Sequence, residues 1–192
     1  MTEQKNGCLI GIIFGIGTLF LFILIPIFYH NSIVSRDEAI DASWAQVETV
    51  LQRRYDLIPN LVNTVKGFAD QEKEVLTEVT ALRSQWAKAG SVSEKAKAAT
   101  GLEAALGRLM VISERYPDLK SNQNFLRLQD ELAGTENRVS VERRRYNQAV
   151  QNYNTTIRKF PGKIIADFSG FEERDVYFQA SSGATEAPVV SF

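Results

Sequence analysis

Cysteine and histidine each occur once in this chain, as Cys8 and His30, and both lie in or beside one N-terminal apolar run. Everything after His30 therefore lacks thiol and imidazole. That excludes a disulfide framework and leaves only carboxylates for any metal site. It also removes Cys–His and Ser–His–Asp catalysis, because no imidazole is present to activate a nucleophile. No glycine-rich phosphate loop occurs. Neither sign of charge is in excess: 22 Lys plus Arg stand against 23 Asp plus Glu, a net charge of −1. With no long basic run, nucleic acid is not an expected partner. An enzyme here would have to work with Asp, Glu, Lys, Arg, Tyr and Ser alone. A carboxylate-dependent hydrolase has only dispersed acidic residues to support it. The expectation is a protein that is not an enzyme, with no cofactor and no metal.

What the chain does have is one long apolar run. After a short polar tail, residues 1–6, Gly7 to Tyr29 carries no charge. At 1.5 Å per residue it reaches about 35 Å, enough to cross a hydrocarbon core of about 30 Å. A cleavable signal peptide would be shorter and followed by an A-x-A-like site, which is absent. Residues 7–29 are thus expected to span the bilayer as a single transmembrane helix. Gly7, Gly11 and Gly15 recur at four-residue spacing, a pattern that can pack helices together, so a homo-oligomer is open. Lys5 and Arg36 flank the span and nearly cancel the charge bias that would orient it.

From Ser32 the composition becomes charged and helical. An apolar seam at alternating steps of three and four runs Trp44, Val47, Leu51, Arg54, Ile58, Leu61, Val65, Phe68, Glu72, Val75, Val79, Leu82, Trp86. Such a period marks helices packed along a narrow stripe. Pro59 predicts a bend, Gly67 suits a left-handed helix end, and Asp70 suits a new cap. The pattern allows a hairpin of helices at about 33–67 and 70–89, or one continuous kinked helix. Residues 89–93 form a turn, with Ser93 capping a helix over about 94–115, in which Gly101 and Gly107 mark close helix contacts. Pro117 ends it, and Asp118 or Ser121 starts the last long helix. Its seam places an apolar residue at every seventh position from Phe125 to Phe160, before Pro161-Gly162 stops it. The fold class expected is all-α: a transmembrane helix, then an antiparallel up-and-down four-helix bundle over 32–180. The remaining aromatics, Phe168, Phe171, Tyr177 and Phe178, fit either the bilayer interface or a cap on the open end of the core. Residues 181–192 read as a flexible tail.

Candidate functional residues are the polar ones on or beside the seams. Arg54 interrupts the first stripe and Glu142 the last, and a buried charge needs a partner. Antiparallel counting puts Arg54 nearer Glu131 or Glu136 than Glu142. Such a pair reads either as a pin for helix register or as part of a charged cleft. Tyr146-Asn147 and Tyr153-Asn154 repeat one heptad apart, and Asn60 and Asn63 stand beside Pro59, where either amide could bond a carbonyl freed by the proline. With Arg138 and Arg143 from the basic part of the last helix, these form one candidate polar cluster between the first and last soluble helices.

Taken together, the N-terminal span, RRYDLIPNLVNTVKGFA, ENRVSVERRRYNQAVQNYN, FPGKIIADFSGF, YFQA and the final APVVSF resemble the bacterial LemA family over nearly the whole chain. Gln71 departs from the family pattern, where histidine is more usual, so a histidine-based role there is not available. The resemblance implies a membrane-anchored helical bundle, with the domain cytoplasmic and the anchor in the inner membrane. One branch of the family is linked to building the magnetosome membrane, which implies membrane organisation or assembly. The functional expectation is a scaffold or adaptor of the cell envelope, with the lipid bilayer and other membrane or envelope proteins as partners. The alternative is a sensor taking a small anion or peptide between the first and last soluble helices.

Overall fold

The computed structural model describes the backbone of residues 2–69 and 71–178, and side chains from residue 13 within those ranges. Its helices are α1 Thr2–Lys66, α2 Lys73–Lys88, α3 Val92–Ser113, α4 Pro117–Lys120, α5 Gln123–Arg158 and α6 Gly162–Ser169, with no strand among the described residues. The fold class is all-α, as the periodicity requires. The cap expected at Asp70, the surroundings of Gly7 and Gly11, and the tail 181–192 lie outside the described residues. Gly15 has open space where a Cβ would stand.

The chain forms two compact units, Met1–Ala42 with Gln148–Asp175 and Ser43–Asn147 with Val176–Phe192, so α1 and α5 each contribute to both. In the second unit α1 runs antiparallel to α5, since Arg54 meets Glu136 and Trp44 meets Tyr146. The helices α2 and α3 are also antiparallel: Glu78 pairs with Arg108, and Glu72 with Arg115 at 2.9 Å. The α1 stripe Val47, Leu51, Ile58, Leu61 and Val65 is no more than 2% exposed. It packs in a core with Val79 and Trp86 of α2, Leu102 and Leu109 of α3, and Phe125, Leu132 and Val139 of α5. Each such side chain removed from water contributes about 1.5–3 kcal/mol.

In the second unit the chain turns back after Lys66, so α1 and α2 form a hairpin and not one kinked helix. The first helix of that hairpin does not begin near residue 33, since α1 is continuous from Thr2. The turn after Lys66 is closed by Ala69 N donating to Val65 O at 2.8 Å. Several local expectations are corrected. Gly67 is not left-handed; among the described residues only Gly170 has positive φ, at 74°. Ser91, not Ser93, caps α3, in a capping box with Glu94; Ser91 is the residue with glutamate three positions on, which the box requires. A short α4 precedes the last long helix, and the start of α5 is held by the Asn122 carboxamide oxygen, which accepts from Asn124 N and Phe125 N. Gly101 does mark a close contact, a Cβ there falling 2.9 Å from Leu82 Cδ2, but Gly107 has open space.

In the first unit, the apolar run of α1 is long and apolar enough to cross a membrane, and none of its residues whose side chains are described, from Ile13 on, is buried against protein; Phe14 and Phe22 are 78% and 75% exposed. Beyond it Ile33 and Ile40 turn inward, with Val150, Ile157 and Ala166 also buried. An unforeseen helix, α6, follows Pro161. Gly162 starts it because a Cβ there would lie 2.2 Å from the Thr156 carbonyl oxygen. Left-handed Gly170 ends it, its N–H donating to Ala166 O.

Two glycine substitutions should therefore act in opposite directions. Gly162→Ala is expected to destabilise by about 1–3 kcal/mol through overpacking. Gly107→Ala should stabilise by up to about 1 kcal/mol through helix propensity alone. Thermal unfolding of the detergent-solubilised protein, followed by circular dichroism, measures both.

Candidate functional site

The polar residues singled out by the sequence occupy several distinct places rather than one cluster. In the second unit Arg54, 5% exposed, donates from Nη1 to the Glu136 carboxylate on α5. Glu142 instead accepts from Arg145, one turn away on its own helix. The ring of the neighbouring Tyr55 stacks on Trp86 of α2, with centroids 4.3 Å apart. Burial pushes the Tyr55 hydroxyl above the ordinary tyrosine range, while the Arg54 and Arg143 guanidinium groups act on it in the opposite sense. Arg143 donates to Glu103 on α3 at 3.0 Å and lies over the Phe178 ring at 5.1 Å.

Arg54 Nε, the Tyr55 hydroxyl, Trp86 Nε1, and Arg143 Nε and Nη2 are buried and make no hydrogen bond to a described protein atom. The nitrogens among them are donors only. This part of the core is thus rich in donors.

Pro59 leaves the Tyr55 carbonyl without its helical donor, since proline has no N–H. The donor comes from α2: Arg83 Nε reaches Tyr55 O at 3.3 Å. Asn60 and Asn63 do not serve this carbonyl. Both are exposed and, with Thr64, Asn124, Arg127 and Leu128, line an open groove of about 400 Å³. Arg83 is the residue that sequence reasoning missed. Its signal was available: a long donor on a helix adjoining a mid-helix proline. Arg138 is exposed on α5. Asn60 and Tyr146 are also far apart along the α1–α5 pair, because Tyr146 lies against Trp44, sixteen residues or about 24 Å back along α1.

The two Tyr-Asn repeats hold the segment after α6. In the second unit Asn147 Nδ2 donates to Phe178 O at 2.8 Å and Asn147 Oδ1 accepts from Phe178 N at 3.0 Å. This seats the Phe178 ring between Trp44, stacked at 5.9 Å, and Tyr146, edge-on at 5.7 Å. In the first unit Asn154 makes the same pair of bonds with Arg174 O and N, at 2.7 and 3.0 Å. Beside it the Tyr153 hydroxyl donates to Glu172 O at 2.9 Å, and burial raises its pKa above the ordinary value. Arg174 in turn donates to Asp37 of α1 from Nη2 at 2.8 Å and from Nε at 3.1 Å, which raises the guanidinium pKa further. Among the described residues no group of carboxylate, His or Cys side chains has the arrangement of a metal site.

An uncharged stretch of α1 long enough to span a bilayer, on a chain whose helices are joined by ion pairs and backbone clamps, fits a single-pass membrane protein of all-α fold. The chain belongs to the LemA family, whose model matches residues 43–192. It is similar to Magnetosome protein MamQ 2 of Paramagnetospirillum magneticum, 26% identical over 88% of this chain and 71% of the relative. Magnetosome protein MamQ of Magnetospirillum gryphiswaldense is 26% identical over 91% of this chain and 73% of its own length. Protein LemA of Metamycoplasma hominis is 24% identical over 88% and 78%.

Two double-mutant cycles test this geometry. Arg83→Met should cost about 1–2 kcal/mol, and most of that loss should vanish in a Pro59→Ala background, where the restored N–H serves Tyr55 O. Arg54→Met should cost about 2–4 kcal/mol by stranding a half-buried carboxylate, and Arg54→Met/Glu136→Leu should recover most of it. Thermal and denaturant unfolding read both cycles.

Proposed function

We propose that this protein is a non-enzymatic scaffold or adaptor of the bacterial cell envelope. On this reading residues 7–29 anchor it in the inner membrane, its helical domain faces the cytoplasm, and it acts in membrane organisation or assembly. One observation carries the reading. The polar residues of the seams fasten the protein to itself: Arg54 to Glu136, Arg143 to Glu103, Asn147 to Phe178, Asn154 to Arg174. A polar surface offered to a partner is the shallow groove of Asn60, Asn63 and Arg127. An open, polar groove on rigid helices suits a protein partner better than an enclosed small molecule. Similarity to relatives named as magnetosome proteins supports a role at membranes, and the family expectation supports the cytoplasmic side. Other membrane or envelope proteins, or a second copy, are the partners this predicts.

Photoreactive residues at Asn63 and Arg127 should give discrete membrane-protein adducts in intact cells, and one at exposed Lys97 should not. An absence of adducts at all three positions would remove the adaptor reading. Sidedness is read from Gly90→Cys in a Cys8→Ser background: an impermeant thiol reagent should modify it only after lysis, and modification before lysis would put the domain outside the cytoplasm.

A further inference from the structure

The first unit holds an apolar face that the core does not use. Phe160 is in phase with the α5 seam, yet it is 82% exposed, and Ile164 and Phe168 follow at four-residue steps with 58% and 93% exposure. The helix between them, α6, is three-sided. Gly162 and Ala166 are buried, Lys163 and Asp167 pair across 3.6 Å on an exposed polar side, and Ile164 and Phe168 share the remaining face.

The level of α6 relative to the membrane span follows from contacts within the same unit. At its C-terminal end Ser169 Oγ lies 3.2 Å from His30 Nδ1. The Phe171 ring lies 5.5 Å from the His30 ring. His30 immediately follows the uncharged run that ends at Tyr29. At its N-terminal end the register is set by Arg174, which joins Asp37 of α1 to Asn154 of α5. Seven residues back from Asp37 lead to His30, about 10 Å along α1, and seven forward from Asn154 lead to Pro161 at the start of α6, a similar distance. Both ends of α6 therefore stand level with the last residue of the span. A helix whose two ends share one level at the end of a transmembrane segment lies across the membrane plane. Amphipathic helices with aromatic residues are favoured in that interfacial zone.

We propose that α6 is an interfacial foot: the Phe160, Ile164 and Phe168 face rests in the headgroup–acyl boundary of the bilayer that holds α1. The occupant of this face is lipid, because the face stands at the level where the exposed apolar surface of the span ends. Lys159 and Lys163 then lie at the depth of the lipid phosphates. Gly162 has a positional role here, since the start of α6 approaches the Thr156 carbonyl too closely for a side chain.

The test uses the full-length chain in a Cys8→Ser background, with single cysteines at Ile164→Cys, Phe168→Cys or Asp167→Cys, each carrying an environment-sensitive fluorophore. Protein is reconstituted at low density in phosphatidylcholine vesicles with or without brominated acyl chains. Labels at 164 and 168 should be blue-shifted and quenched by bromolipid at least several-fold more than the label at 167, approaching a Leu24→Cys control within the span. Equal, weak quenching at all three positions would overturn the proposal. So would energy transfer between labels at 168 on separate copies, which would make a second copy the occupant.

Discussion

The register of α1 against α5 in the second unit is the constraint on which its other contacts rest. Apolar stripes alone specify that register weakly, because Val47, Leu51, Ile58 and Leu61 present similar surfaces every turn and a slip of one heptad still buries them. A charge does not slip in this way. Arg54 has an acceptor when Glu136 stands opposite, and it loses that acceptor when α5 moves by a turn. Fixing Arg54 also fixes its neighbour Tyr55, hence the stack on Trp86 and the carbonyl that Arg83 serves. The placement of α2 is thus coupled, through one proline-freed carbonyl and one ring, to an ion pair it does not share.

The same logic separates what was legible in the sequence from what was not. The stripes were legible because burial imposes a period on residue type, and nearly every apolar seam position within a helix is buried or half-buried. The partner of Arg54 was legible to within a turn or so, because antiparallel helices count down at a fixed rate. Helix ends were read less well. Ser91 and Ser93 are chemically alike, and the choice fell on the one with glutamate at the third position. The polar cluster was misjudged for a different reason. Periodicity reports which face a residue occupies, and it says nothing of what chain returns to cover that face. Asn147 and Asn154 pointed to a partner, and the partner was the chain's own backbone.

The segment from Pro161 onward shows the limit most clearly. Phe160 satisfied the heptad pattern, but the helix ended two residues earlier at Arg158, so the phase it was counted in no longer applied. The short helix that follows has too few residues for a periodic signal; its start is fitted against Thr156 O and its end is set by a left-handed glycine. Both are backbone facts with no signature in apolar spacing.

The asparagine clamps carry a consequence for how this family can vary. A carboxamide that donates to a backbone oxygen and accepts from the same residue's N–H imitates the edge of another strand, and it recognises no side chain. The stretch from Glu172 to Phe178 is therefore gripped largely without regard to its spelling. Arg174, through Asp37, and Phe178, through its two rings, are the positions where identity matters. Substitutions should accumulate readily at the exposed Glu172 and Asp175, while Asn147 and Asn154, which look like ordinary polar helix residues, should hardly change. In this protein the letters that hold the C-terminal segment are written on a different helix.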